Sequence, residues 1–207
     1  MKKVLILPAL ALVLLAGCAP QEEEPTVEFE HYTIEQFLKT TSVGGGSFSP
    51  DESKLLVHSN ATGVYNIYSI DVASGEMTQL TNSEDTTFSI GYMPNDERIL
   101  FTRDAGGNEL YKLYLMTPEG EVTQLTEGEK TRELFYGFSQ DLTSFFTGNN
   151  ARDQRFIDVY KWDIETLTPE LFYQNNDGLN LASISRDERW IALVKTNTRF
   201  DTDMYIV

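Results

Sequence analysis

The chain has 207 residues, enough for one sizeable domain or two small ones, and its 41% apolar and 12% aromatic content lets it build a packed core. A formal net charge of −16 argues against a nucleic-acid partner, because a polyanion would meet a surface of its own sign. The same acidity keeps a protein soluble, and it also suits a cavity that draws in cationic ligands such as peptide amino termini.

The first residues read as an export signal. Lys2 and Lys3 precede an apolar run from Val4 to Leu15, too short to span a bilayer and right for the core of a signal peptide. The run ends in Leu15-Ala16-Gly17-Cys18, which resembles the lipobox of bacterial lipoproteins. Residues 1–17 are therefore expected to be removed, and the Cys18 thiol to take the lipid. Cys18 is the only cysteine, so the exported domain is expected to hold no disulfide. Acyl chains there would anchor the protein to a membrane without spanning it. Ala19 is not the aspartate associated with inner-membrane retention, which points to the periplasmic face of the outer membrane. Residues 18–31 follow as a tether, with Glu22, Glu23 and Glu24 between Pro20 and Pro25. Such a segment repels itself and extends.

One short helix is predicted over residues 32–41. Thr33 and Gln36 fit a capping box, and Ile34, Phe37 and Leu38 share a face. The Gly44-Gly45-Gly46 run breaks it. Beyond Thr41 the text consists of short strands punctuated by turns.

Those strands repeat. Phe48, Tyr92, Phe138 and Ile184 each lead into a turn and then an apolar strand, at spacings of 44, 46 and 46 residues. Tyr68, Tyr114, Tyr160 and Tyr205 recur in a later strand at 46, 46 and 45. "GEMTQLT" at 75–81 and "GEVTQLT" at 120–126 close two units, and a degenerate "TPELF" at 168–172 closes a third. Four short antiparallel strands in about 45 residues is the content of a β-propeller blade. The expected fold is all-β, with blades at about 42–81, 86–126, 133–172 and a truncated 180–207. No such blade is stable alone, and the tyrosines are expected to pack blade on blade. An arc of three and a half blades would expose a large apolar face, so the residues are expected to belong to a longer protein.

Chemistry is sparse. A serine hydrolase of the α/β type needs a G-x-S-x-G elbow followed by an acid and a histidine, and Gly45-Gly46-Ser47-Phe48-Ser49 lacks the second glycine. His31 and His58 are the only histidines, and neither has a partner at metal-ligand spacing. No catalytic residue, metal ligand or cofactor is assigned. Asn60-Ala61-Thr62 matches a glycosylation sequon, discounted beside a bacterial lipobox. "RDAGGNELY", Arg103 to Tyr111, offers oxygen ligands for calcium without the regular acidic spacing of a known loop, and its glycines favour a tight connection. In "NNARDQRFIDVY", Asn149 to Tyr160, the residues Arg152, Arg155 and Asp153 are candidates for contact with a substrate or partner. A surface ion-pair cluster is the plainer reading.

The order "YTIEQFL", "FSPDESKLLV", "DAGGNELYKLYLM", "NARDQRFIDVYKWD", "SRDERWIAL" resembles the amino-terminal propeller of prolyl oligopeptidase-type serine peptidases, in their bacterial acylaminoacyl-peptidase and dipeptidyl-peptidase branch. It covers about Tyr32 to Val207. The blade motif is shared with TolB and other propellers, whereas "GGNELY" and "RDQRFIDVY" in this order are more specific. The resemblance implies a propeller that restricts access to short peptides, and a carboxy-terminal α/β-hydrolase domain that supplies serine, aspartate and histidine. None of those three matches a position here, and Glu22 to Glu24 lie in the wrong place for the dipeptidyl branch's paired glutamates. The alternatives are a stand-alone TolB-like lipoprotein that docks envelope proteins, and a propeller polysaccharide lyase.

Overall fold

The computed structural model describes residues 31–207. The signal segment, Cys18 and the tether up to residue 30 lie outside the described residues. The chain divides into two units, Met1–Thr40 and Thr41–Val207. In the first, α1 spans Ile34–Leu38 and carries the expected capping box. The Gln36 N–H donates to Thr33 Oγ1 at 3.2 Å, and the Thr33 N–H donates to Gln36 Oε1 at 2.7 Å. The helix is a single turn rather than the length expected. Thr40 Oγ1 donates to the Phe37 carbonyl at 2.7 Å, taking an acceptor that a continuing helix would use.

The second unit holds fifteen strands in four antiparallel sheets, each ordered as in the sequence. Blade one comprises β1 (Val43–Phe48), β2 (Lys54–Ser59), β3 (Asn66–Asp71) and β4 (Met77–Gln79). Blade two comprises β5 (Thr87–Tyr92), β6 (Ile99–Arg103), β7 (Lys112–Met116) and β8 (Val122–Gln124). Blade three has β9 (Glu133–Phe138), β10 (Ser144–Asn149), β11 (Asp158–Asp163) and β12 (Pro169–Tyr173). The fourth sheet has β13 (Asn180–Ile184), β14 (Ile191–Thr198) and β15 (Asp201–Ile206). This is the all-β propeller architecture that the repeat requires.

Turn chemistry explains why the same phrase recurs. In blades one, three and four a Ser-x-Asp pair closes the first hairpin. Ser49, Ser139 and Ser185 donate to Asp51, Asp141 and Asp187 at 2.6–2.7 Å. Each serine hydroxyl then accepts an N–H at the entry to the next strand, from Lys54, Ser144 and Trp190, at 2.9–3.0 Å. The residue after each aspartate takes a positive φ of 57–59°. Serine hydroxyl bonds, the largest influence, hold Asp51 and Asp141 down at about 2. Blade two replaces the motif with Pro94-Asn95-Asp96, where Asp96 instead takes the Arg98 N–H and guanidinium.

The closing "TQLT" is equally specific. Thr81 and Thr126 accept the Ile67 and Leu113 N–H groups through Oγ1, each at 2.9 Å. Gln79 and Gln124 cap the carbonyls of the same threonines at 2.7 and 2.6 Å. A second device shares no common residue in the sequence. In blades one to three the first residue of the third strand, Asn66, Lys112 or Asp158, ties that strand to the connection leading to the next blade. Asn66 bonds Ser83 by side-chain oxygen and nitrogen, Lys112 donates to the Thr131 carbonyl, and Asp158 accepts the Asn175 N–H. These bonds, part-buried or buried, fix where one blade hands over to the next.

Between blades the contacts are apolar. Leu56 and Ile67 of blade one pack with Tyr92, Ile99, Phe101 and Met116 of blade two. Met93, Leu100, Leu113 and Leu115 of blade two pack with Phe145, Trp162 and Ile164 of blade three. Burying each such side chain contributes about 1.5–3 kcal/mol. Two of the landmark tyrosines border these clusters: Tyr114 packs against the first and Tyr160 against the second, and Tyr114 also stacks on Phe101 of its own blade at 5.3 Å. Lys54 pairs with Glu97 at 2.9 Å and Lys161 with Glu188, each joining one blade to the turn of the next. At the third junction a cavity of about 390 Å³ is lined by Phe138, Phe146, Leu181 and Ile184. On the fourth sheet Trp190, Met204, Tyr205 and Ile206 are exposed, whereas Ile67, Tyr68, Leu113 and Val159 at the corresponding positions of β3, β7 and β11 are buried or half-buried.

Every inner strand (β1, β5, β9, β13) carries a register shift against its neighbour. Such bulges redirect single side chains. In β9 the shift falls at Tyr136, whose ring then lies over Gly148. A Cβ at Gly148 would sit 2.6 Å from Tyr136 Oη and from Ile157 Cγ2. Gly148→Ala is expected to destabilise the protein by about 1–3 kcal/mol in denaturant unfolding, the usual cost of overpacking.

Candidate functional site

Strand pairing decides which segments can form a site. Val43 lies opposite Ser59, Thr87 opposite Arg103 and Glu133 opposite Asn149. The loops at 60–65, 104–111 and 150–157 therefore share one end of the blades with the connections between blades. The chemistry-bearing residues of the propeller gather at that end.

Arg152, Arg155 and Asp153 occupy the blade-three loop there. Arg152 forms a two-pronged pair with Asp158, Nε to Oδ2 at 2.6 Å and Nη2 to Oδ1 at 2.8 Å, and Nη2 also reaches the Asn175 carbonyl at 2.6 Å. Asp158 is buried; burial opposes its ionisation, but the guanidinium and the Asn175 N–H outweigh it and hold the carboxyl below its usual range. Arg155 bonds Asp153 at 2.7 Å and lies over the Phe156 ring at 4.9 Å. The Arg155 side chain is 76% exposed against 35% for Arg152. Arg152 thus spends its donors on the fold, and Arg155 is the cation of this loop that faces solvent.

A second cluster sits at the junction of blades one and two, built around His58. His58 Nδ1 lies 3.0 Å from Ser89 Oγ, and its ring meets Phe88 at 4.9 Å and Tyr65 at 5.7 Å. Phe88 continues to Tyr111 at 5.6 Å. Gly44 leaves room for the imidazole, since a Cβ there would stand 2.7 Å from His58 Nε2. Burial lowers the imidazole pKa. Among the described residues no carboxylate forms an ion pair with His58, so the contact with Ser89 positions the ring without the acid of a catalytic triad. One trace of it lies in the sequence: Tyr65 and Tyr111 are 46 residues apart, the period of the blades.

The third feature is Glu133 at the start of β9, where blade two has Thr87. It is 3% exposed, and neither carboxyl oxygen has a hydrogen-bond partner. Burial pushes its pKa up to about 7. Thr147, Asn149 and Lys112 oppose the shift from nearby without reaching hydrogen-bond or ion-pair geometry. Lys112 is itself lowered by burial.

No family model matches the chain. Among solved structures it is similar to TolB from Acinetobacter baumannii, at 20% identity and a TM-score of 0.56, over 80% of this chain and 40% of that one. It is similar to a prolyl endopeptidase at 14% identity and a TM-score of 0.59, over 81% and 28%. It is also similar to an oligogalacturonate lyase in complex with manganese, at 18% and 0.57, over 81% and 51%. These likenesses show the fold, and the chain spans less than two thirds of each of those proteins. Among the described residues no helix is long and apolar enough to cross a membrane.

Two outcomes follow from the geometry. Glu133→Gln is expected to stabilise the protein at pH 8 and to change little at pH 4, measured by denaturant unfolding at each pH. The folded state holds the Glu133 proton between about 4.5 and about 7 while the unfolded state has released it. Wild-type stability from this group is therefore full below 4.5 and is lost as pH rises through 7, by on the order of 3 kcal/mol. Arg152→Met is expected to lower the thermal midpoint clearly, because it leaves Asp158 buried and unpaired, whereas Arg155→Met leaves the midpoint nearly unchanged.

Proposed function

We propose that this propeller is the substrate-gating part of an exported, lipid-anchored serine peptidase acting on short peptides, with its α/β-hydrolase domain outside this chain. The observation that carries the reading is the ordered run of "GGNELY" and "RDQRFIDVY" on consecutive blades, which resembles the propellers of prolyl oligopeptidase-type enzymes. The likeness of fold to a prolyl endopeptidase over 81% of the chain supports it. Gating would be steric, since a narrow channel lined by the inner strands admits extended peptides and excludes folded proteins. Arg155, with Arg152 and Asp153 behind it, would meet the peptide or the neighbouring domain. The exposed face of the fourth sheet would be covered by a further blade. Cys18 would carry the lipid, placing the protein at the periplasmic face of the outer membrane.

The second reading is a TolB-like scaffold that docks other envelope proteins, supported by the likeness to TolB over 80% of the chain. A fluorophosphonate probe separates the two. Applied to the full-length protein, it is expected to label one serine outside residues 1–207, and heat inactivation should abolish the labelling. A full-length protein that stays unlabelled, with no peptidase activity on short peptides, would leave the scaffold reading in place.

A further inference from the structure

Strand β9 opens on a carboxyl group where the preceding blade opens on a hydroxyl. In blade two Thr87 stands opposite Arg103, and Arg103 Nε donates to Thr87 Oγ1 at 3.0 Å. In blade three Glu133 takes the place of Thr87, and Asn149 takes that of Arg103. Blade three thus carries an acid at this place and lacks the cation opposite it. Glu133 is enclosed, and both its carboxyl oxygens are sealed from solvent without a hydrogen-bond partner. A neutral acid tolerates such a place far better than a carboxylate does.

One cation is placed to answer it. The Glu133 N–H donates to the Tyr111 carbonyl at 3.0 Å, which sets the start of β9 beside the start of β7, and Lys112 is the next residue. The Lys112 ammonium is engaged elsewhere, on the carbonyl of Thr131 in the connection between blades two and three. The other charged and titratable groups nearby are accounted for. Tyr136 of β9 and Tyr160 of β11 are held above the ordinary phenol range by burial and stay neutral. Arg152 and Asp158 pair with each other, and Arg132 is exposed. Thr147 and Asn149 of β10 carry no charge. Asp104 and Glu129 share a cavity wall with Lys112, but among the described residues no ion pair joins either of them to it.

We propose that Glu133 and Lys112 form a pH-dependent switch at the seam of blades two and three: when Glu133 gives up its proton to solvent, the Lys112 ammonium leaves the Thr131 carbonyl for the Glu133 carboxylate, and the connection 127–132 is released. A buried anion left unpaired is strongly destabilising, and a charge-assisted bond outweighs the bond to a neutral carbonyl that it replaces. Thr131 is buried, so its freed carbonyl reaches water only if the connection moves outward, and residues 127–130 are already exposed. The direction follows from the burial of the acid. The connection is tied at low pH and released as pH rises through about 7. The switch stands apart from the peptidase reading, since neither a hydrolase domain nor a peptide is needed for it.

The test is hydrogen–deuterium exchange of the full-length protein at about pH 5.5 and about pH 8.5, with labelling times scaled to the intrinsic exchange rates. The amides of Thr131, Arg132 and Glu133, bonded to Gly128, Asn150 and Tyr111, are the reporters. Segment 127–133 is expected to exchange about tenfold faster or more at the higher pH, while the connection 82–86 between blades one and two is unchanged. Glu133→Gln is expected to keep 127–133 protected at both pH values. Lys112→Met, which lacks the tie at either pH, is expected to exchange fast at both. The proposal is overturned if wild-type 127–133 is equally protected at the two pH values, or if 82–86 loosens to the same degree. It is also overturned if the glutamine variant keeps the pH effect, or if the methionine variant is as protected as wild type at low pH. The comparison of the two connections uses wild-type protein, so it decides the matter even where a variant fails to fold.

Discussion

A small twisted sheet has two faces, and water must be kept from both. That constraint governs the propeller. Leu56 and Ile67 are fully buried only because Tyr92, Phe101 and Met116 of the next blade close over them, and Leu100 and Leu113 depend on Phe145 and Trp162 in the same way. The polar bonds at the blade ends do not drive association; they set the register in which one apolar face meets the next. Lys54 with Glu97 and Lys161 with Glu188 act similarly at the opposite end. No sheet covers the outer face of the fourth among the described residues, and there Trp190, Met204 and Ile206 lie in solvent.

The fold was legible because its signals are local and periodic. A serine two residues before an aspartate makes its bonds within a six-residue turn, so the letters alone reveal the hairpin. "TQLT" likewise acts within its own blade. What could not be read was bonding across blades or between unlike residues. Asn66, Lys112 and Asp158 share no chemistry as text, yet each occupies the same position and performs the same tie. Similarity of letters is a poor guide when a position demands only that some polar group reach a backbone partner.

The candidate site was legible in composition but not in pairing. Arg152 has Asp153 beside it and Asp158 six residues on, and nothing in the sequence says which carboxylate its fork will meet. The strand start at Asp158 settles the choice by burying that carboxylate where the Arg152 fork and the Asn175 N–H compensate it. His58 was visible as a lone histidine, but its surroundings come from Ser89 and Phe88 of another blade, some thirty residues away. Glu133 was invisible for a simpler reason. A carboxylate in an acidic chain looks like surface until the packing shows it enclosed.

The three different residues that open β3, β7 and β11 have a consequence for how such a chain can be rearranged. Asparagine, lysine and aspartate present neutral, positive and negative groups to connections shaped for each: Ser83 for the first, the Thr131 carbonyl for the second, the Asn175 amide for the third. The copies look interchangeable by length and strand count, but each seam has its own polarity. Shuffling or duplicating them would bring a cation to a donor or an anion to a carbonyl, so their order is written into the seams as firmly as into the backbone.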